Sequence, residues 1–254
     1  MGHSLFYLPK ENELTLNQSA IHIIKSIKMH PLYFITGIDT DAGKSIVTGV
    51  LGKYLLSRKV NVITQKMAQT GAVGISEDII THRRLMNIEL TDADKQGITC
   101  PYVFPFPAAP QLSARLENES IDLNQITESS EQLKKMYDTV LLEGVGGLMV
   151  PIVNDIMVID YLKQQKYPTI VVSNGKLGSI NHTLLALEAL KRREIDVVCL
   201  IYNRCIETDP VITEDTLGLF RRQLSTLYPS ACLIEFPYWD EKSELIDCST
   251  LFGL

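Results

Sequence analysis

The segment Gly37-Ile38-Asp39-Thr40-Asp41-Ala42-Gly43-Lys44-Ser45 has the residue types and order best suited to chemistry. Small residues ahead of a helix leave backbone N–H groups unpaired and aimed at one point, and the helix dipole adds positive potential there. Lys44 would bring a charge to β- and γ-phosphates, and the Ser45 hydroxyl can ligate Mg2+. The spacing departs from the strict GxxxxGK pattern, because five residues separate Gly37 from Gly43. The plainer alternative is a glycine-containing helix cap followed by a chance Lys-Ser. A strand-like run before the segment and a helical pattern after it favour a loop that binds a nucleoside triphosphate.

Val140-Leu141-Leu142-Glu143-Gly144-Val145-Gly146-Gly147 reads as a buried strand that ends on a carboxylate and turns through glycines. A Glu there can hold Mg2+ directly or through water. A strand-end Glu facing solvent is the alternative, and glycines that admit a ligand close to the backbone weigh against it. Asp78, in Ser76-Glu77-Asp78, serves equally as a metal ligand or as a helix N-cap. Lys66 directly follows the run Asn61–Gln65, on the same rim as Lys44. It is either solvated or placed to neutralise a transferring phosphoryl group or an anionic acceptor, with equal weight on each.

The elements that position these residues follow from hydrophobic patterning. Strand-sized apolar runs occur at Leu32–Thr36, Asn61–Gln65, Thr139–Leu142, Thr169–Ser173, Val197–Tyr202 and Cys232–Phe236. They lack polar alternation, as expected of strands covered on both faces. Helix-length segments lie between them at Lys44–Ser57, Glu77–Met86, Asn124–Tyr137, Ile180–Arg193 and Val211–Leu227. This alternation predicts an α/β fold with a doubly wound, mainly parallel sheet of the phosphate-loop NTPase type. Ligands in such sheets sit beyond the strands' carboxyl ends, where the residues singled out above lie.

Residues 29–254 read as a single domain. Residues 1–28 read as an extension of uncertain origin; they carry neither a basic start nor a small-residue cleavage site, which argues against a signal peptide. Of the 254 residues, 45% are hydrophobic and 21% charged, which argues against disorder and disulfide scaffolds. No apolar stretch approaches the ~18–20 residues of a membrane span. A net charge of −6 without a basic stripe argues against nonspecific nucleic-acid binding. The five cysteines are widely spaced and odd in number, which fits free thiols in a cytoplasmic protein. The histidines form no HExxH-like pair, so a zinc hydrolase is disfavoured.

Four segments together resemble the dethiobiotin synthetase family: Phe34 to Ser45, Gln65-Lys66, Leu142 to Gly147, and Gly175-Lys176-Leu177-Gly178-Ser179-Ile180-Asn181-His182. The likeness runs from Tyr33 to about Trp239, and the family's phosphate loop has the same longer spacing. The resemblance implies ATP- and Mg2+-dependent closure of a ureido ring on 7,8-diaminononanoate with CO2, through a carbamate that ATP phosphorylates. It implies that Asp41, Ala42, Gly43, Lys44, Ser45 and Ile46, with Gly144, Val145 and Gly146, surround the triphosphate. Ser45, Asp78 and Glu143 match its Mg2+ ligands. Lys66 matches its catalytic lysine, beside Lys44 and Thr40, and Thr40 and Thr70 match substrate contacts. Asn203 and Arg204, with Pro237, Tyr238 and Trp239, match its nucleobase pocket. Asn181 matches a helix start that receives the substrate's carboxylate across the interface of a homodimer.

Some residues depart from the family pattern. Ser45 replaces a threonine, Met67 a proline and Thr70 a serine, and after Asn203 come Arg204 and Cys205 with no acidic residue. The rival reading is a partition-type ATPase, a nucleotide-switched scaffold. Those proteins carry an additional early lysine in the loop, where this chain has Asp39. A sister ligase of cobalamin synthesis carries a further glutamine-hydrolysing domain, which this sequence is not expected to hold.

Overall fold

The computed structural model describes residues 29–205, 209–239 and 243–254. The extension read at residues 1–28 lies outside the described residues. The central sheet has six strands: β1 (Leu32–Gly37), β2 (Val62–Lys66), β3 (Thr139–Gly147), β4 (Thr169–Asn174), β5 (Val197–Asn203) and β6 (Cys232–Phe236). Their order in space is β6-β5-β4-β1-β3-β2, and every pairing is parallel. The longer helices are α1 (Lys44–Ser57), α2 (Glu77–Met86), α3 (Leu123–Met136), α4 (Ser179–Arg192) and α5 (Pro210–Leu227).

Successive strand residues feed two separate apolar layers. Along β1, Leu32 and Phe34 pack with side chains of α3, α4 and α5, among them Ile126, Leu187 and Phe220. Tyr33 and Ile35 pack on the other face with Val47 and Leu51 of α1, Leu85 of α2 and the C-terminal Phe252. The same division separates Val171 from Ile170 and Val172 along β4. Coverage of both faces is the reason the strand sequences show no polar alternation.

The strands run further than their apolar runs. β3 continues through Glu143 to Gly147, and β4 and β5 end on Asn174 and Asn203. Pairing is made by the backbone, so a polar residue does not stop a ladder whose neighbour continues. Lys66 is accordingly the last residue of β2, in register with Glu143, and not the first residue beyond the strand. Helices Pro110–Leu116 and Val158–Gln165 were not among the sequence expectations. Among the described residues no helix is long and apolar enough to cross a membrane.

β1 lies between β3 and β4, so the chain passes from one side of β1 to the other as the sheet grows. Such a reversal opens a crevice at the strands' carboxyl ends, where ligands of doubly wound sheets bind.

Candidate active site

β1 ends at Gly37, and the chain turns through a short 3-10 segment, Thr40–Ala42, capped by Asp39, whose Oδ1 accepts from the Thr40 N–H at 2.7 Å. Gly43 follows with φ +90°, and a Cβ there would collide with the Asn203 amide, so the position requires glycine. α1 starts at Lys44 with no side-chain cap, so its first-turn N–H groups are left for a ligand. Lys44 Nζ folds back to donate to the carbonyls of Asp39 and Thr40 at 3.1 Å each. Burial, then repulsion from Lys66, lowers its pKa to about 8 against partial opposition from Glu143, Asp78 and Asp39.

Two asparagines hold this loop from behind. Asn174 and Asn203 sit opposite each other at the ends of β4 and β5. Asn174 Nδ2 donates to the Asp41 carbonyl at 3.3 Å, and Asn203 Nδ2 to the Ala42 carbonyl at 3.0 Å. Their Oδ1 atoms each accept a backbone N–H two residues on, from Lys176 and Cys205, at 3.1 Å.

Beside the loop lies a charged cluster. Ser45 Oγ is 2.8 Å from Asp78 Oδ1 and 2.9 Å from Glu143 Oε1. One hydroxyl proton cannot satisfy both carboxylates, so the Ser45 hydroxyl donates to only one of the two oxygens it approaches. Lys66 Nζ lies 2.7 Å from Asp78 Oδ2, 2.8 Å from Glu143 Oε1 and 3.0 Å from the Gly144 carbonyl. Burial acts to lower the Lys66 pKa, but the charges of Glu143 and Asp78 outweigh it and hold the ammonium well above the usual lysine value. Burial likewise acts to raise the Glu143 pKa, but Lys66 and the bond from His82 hold it far below the carboxylate range. Two carboxylates and a hydroxyl are hard oxygen donors and fit Mg2+, which keeps water or phosphate oxygens on its remaining positions. Asp78 is not the N-cap of α2. That place belongs to Ser76, whose Oγ accepts from Ile79 N, which leaves Asp78 facing Ser45 and Lys66.

A cavity of about 490 Å³ is lined by Thr40, Asp41, Gly43, Lys44, Ser45, Ile46, Lys66, Thr70, Asp78, Glu143, Val145 and Gly146, with Ala68, Gln69 and Cys205. A second, of about 390 Å³, shares Thr40 and is walled by Leu148, Met149, Val150 and the α4 residues His182, Leu185, Ala186 and Ala189. Both lysines reach the first cavity from buried positions, each with 4% of its surface exposed, and neither stands on a solvated rim.

Residues 32–238 match the family model described as an AAA domain. The chain is 51% identical over 202 residues to the ATP-dependent dethiobiotin synthetase BioD 2 of Pasteurella multocida, covering 80% of this chain and 95% of that one. The chain belongs to the dethiobiotin synthetase family. The ATP-dependent dethiobiotin synthetase BioD of Chlorobaculum tepidum is 50% identical over 182 residues, with 72% and 76% of the two chains covered. Among solved structures, a ParA family ATPase from Chlorobium tepidum is similar at 16% identity and a TM-score of 0.48, covering 83% of this chain and 85% of that one.

As a dethiobiotin synthetase, the protein is a ligase of biotin biosynthesis. The remaining expected site residues lie outside the first cavity. Ala42 is buried beneath the loop, and Gly144 contributes its carbonyl to Lys66. Arg204 pairs with Glu235 at 3.0 Å. Pro237 and Tyr238 are exposed. Trp239 lines a separate cavity with Lys53, Arg84, Leu85 and Asn87 and lies under the Lys53 ammonium, 5.3 Å from its ring centroid. Asn181 is exposed on the first turn of α4, whose N-cap is Gly178.

Sequence reasoning missed three polar residues. Gln69 Oε1 accepts from Ser76 Oγ at 2.7 Å and from Asp78 N at 3.3 Å, which fixes the start of α2. Asn174 straps the loop as described. His82 bonds Glu143, and its spacing four residues after Asp78 was the available signal, because i and i+4 share a helix face.

Proposed function

We propose that this dethiobiotin synthetase converts 7,8-diaminononanoate, CO2 and ATP to dethiobiotin, ADP and phosphate, with Mg2+. The observation that carries the reading is the convergence of Lys44, Ser45, Lys66, Asp78 and Glu143 on one cavity beside an open helix start. Phosphoryl transfer asks a protein for positioning and charge neutralisation more than for covalent help.

In the first step one substrate amine attacks CO2, forming a C–N bond and releasing a proton to give a carbamate. A carbamate oxygen then attacks the γ-phosphorus, and the bond to ADP breaks. The second amine attacks the carbonyl carbon of the mixed anhydride, phosphate leaves, and a proton is lost as the ring closes. Loop N–H groups and Lys44 hold the triphosphate. Lys66, between the carboxylates and the cavity, contacts the carbamate and the transferring phosphoryl group. Held by Ser45, Asp78 and Glu143, Mg2+ would neutralise phosphate charge. Thr40, shared by both cavities, meets the carbamate, Thr70 contacts the substrate, and the apolar wall of the second cavity suits its aliphatic chain.

The substrate's carboxylate is received by the helix start at Asn181 of a second copy, so the working form is a homodimer. The nucleobase lies toward Asn203, Arg204 and the turn Pro237–Trp239. The test measures ADP release with diaminononanoate and bicarbonate supplied together and singly, with dethiobiotin identified by mass. ADP formation that needs both supports the reading; ATP turnover indifferent to both favours a nucleotide switch.

A further inference from the structure

His82 lies on α2, four residues after Asp78. Its Nε2 is 2.8 Å from Glu143 Oε2, and both side chains are fully buried. An ionised carboxylate only accepts hydrogen bonds, so Nε2 is the donating nitrogen. The two oxygens of Glu143 are thereby divided: Oε2 is held by His82, and Oε1 faces Ser45 Oγ at 2.9 Å and Lys66 Nζ at 2.8 Å.

The terminal torsion of a glutamate is broad and roughly two-fold. Intrinsic preference therefore does not fix the plane of the carboxylate, and so whether one oxygen or both face the loop; its hydrogen bonds do. Simple space-filling does not account for the imidazole, because Nδ1 is buried with no partner among the described residues. An apolar side chain would fill the same volume without that cost. What the imidazole adds is the bond from Nε2.

We propose that His82 is a positioning residue for the metal: it holds Glu143 so that Oε1 alone is presented to a divalent cation, beside Ser45 Oγ and Asp78 Oδ1. One helix then sets both carboxylates, Asp78 directly and Glu143 through His82. This rests on the reading of Ser45, Asp78 and Glu143 as metal ligands. Loss of such an outer partner typically weakens metal binding by about 10–100-fold.

The test titrates Mn2+, followed by its electron paramagnetic resonance signal, into the full chain saturated with ADP. His82→Asn and His82→Gln both keep a polar amide, but only the glutamine amide reaches the position of Nε2. His82→Leu, which fills the space and cannot donate, replaces the asparagine variant if that one is unstable. The expected result is an affinity loss of about 10–100-fold in His82→Asn or His82→Leu, rescue in His82→Gln, and little change in ADP affinity in EDTA. Unchanged Mn2+ affinity in His82→Asn or His82→Leu overturns the proposal, and so does an equal loss of metal-free ADP affinity, which marks a merely structural role. Glu143→Gln separates the two levels. If it retains Mn2+ binding, the metal reading falls and the proposal with it. If it loses Mn2+ while His82→Asn does not, only the role of His82 falls.

Discussion

Lys66→Met removes the ammonium that joins the two carboxylates while keeping a side chain of similar reach. Lys66 is 4% exposed and Glu143 is wholly buried, so water cannot replace the lost partner at Glu143. Ser45 and His82 remain hydrogen-bonded to Glu143, but the ion pair with the ammonium is gone. Removing one member of a buried pair typically costs ~3–5 kcal/mol, because the other charge stays behind. Asp78, whose side chain is 24% exposed, can rehydrate and should add little to that figure. For a domain of this size each kcal/mol moves Tm by ~2–4 °C, so the variant should melt about 6–20 °C below the unchanged protein. The Lys66 substitution is thus a stability variant as well as an activity variant.

Urea unfolding across pH gives a second, sharper check. Glu143 is held far below its ordinary value of 4.5 in the folded protein. Its stabilising contribution is therefore present above about pH 4.5 and is lost as pH falls toward the depressed folded value. Without Lys66 the largest part of that contribution is lost and the part due to His82 remains, so the deficit of Lys66→Met should be largest near neutrality and narrow in acid. Adding Glu143→Gln should recover much of it, since a neutral amide needs no counter-charge. A Lys66→Met protein within ~1 kcal/mol of the unchanged chain at pH 7 would mean the pair behaves as an exposed one, and would refute the burial argument.

Lys44→Ala should lower kcat about 10²–10³-fold, the usual cost of losing one donor at developing negative charge, as read by ADP release. Because burial and repulsion from Lys66 lower the Lys44 pKa to about 8, its charge is lost progressively as pH rises past that value, and kcat/KM for ATP should fall with it. Lys44→Arg should lose that fall, since arginine stays charged. EDTA should abolish turnover and Mg2+ restore it; insensitivity to EDTA would remove Ser45, Asp78 and Glu143 from the metal role. GTP and CTP should also support turnover, with a kcat/KM preference for ATP below ~10³, which would correspond to ~4 kcal/mol of base discrimination.

The sheet and the glycine-containing loop ahead of α1 were legible because each leaves a local signature, whereas Asp78 and Lys66 were ambiguous by themselves and stood out only through the family resemblance. α1 and α2 run over the helix-length segments expected between the strands, Lys44–Ser57 and Glu77–Met86. Strand ends were read short because apolar runs stop where side chains turn polar, whereas β3 pairs on through Glu143. Burial of Lys66 was not legible, because it arises from partners distant in sequence, Asp78 and Glu143. Asn203 shows a different limit. Read as facing a nucleobase, it donates to the Ala42 carbonyl and accepts from Cys205 N. An amide retains one further hydrogen and one further lone pair, so only half of its recognition capacity is open to a base. A loop tied by Asn174 and Asn203 is preorganised for phosphates, which all nucleoside triphosphates share.

The precision of the carboxylate cluster originates outside it. Arg83, next to His82 on α2, makes a two-pronged bond to Asp94, with Nε and Nη2 each 2.8 Å from a carboxylate oxygen. The same guanidinium reaches β2, donating to Thr64 Oγ1 at 2.6 Å and to the Thr64 carbonyl at 3.2 Å. Asp94 also accepts from Thr99 Oγ1 at 2.6 Å, and the Thr99 carbonyl accepts from the backbone N–H of Lys66 at 2.7 Å. Burial acts against ionisation of Asp94, but these bonds and the Arg83 charge hold it below its usual range. Arg83, Asp94, Thr64 and Thr99 are not among the residues that line the phosphate cavity. Together they fix α2, which carries Asp78 and His82, to the strand that ends in Lys66. A displacement of an ångström between those elements would separate Lys66 from Asp78 or His82 from Glu143, and misplacement on that scale is enough to lose much of a site's rate. A buried ionic network is a poor source of net stability, because desolvation offsets most of its attraction. Here its directional bonds act on geometry, and the spacing of the cluster depends on them.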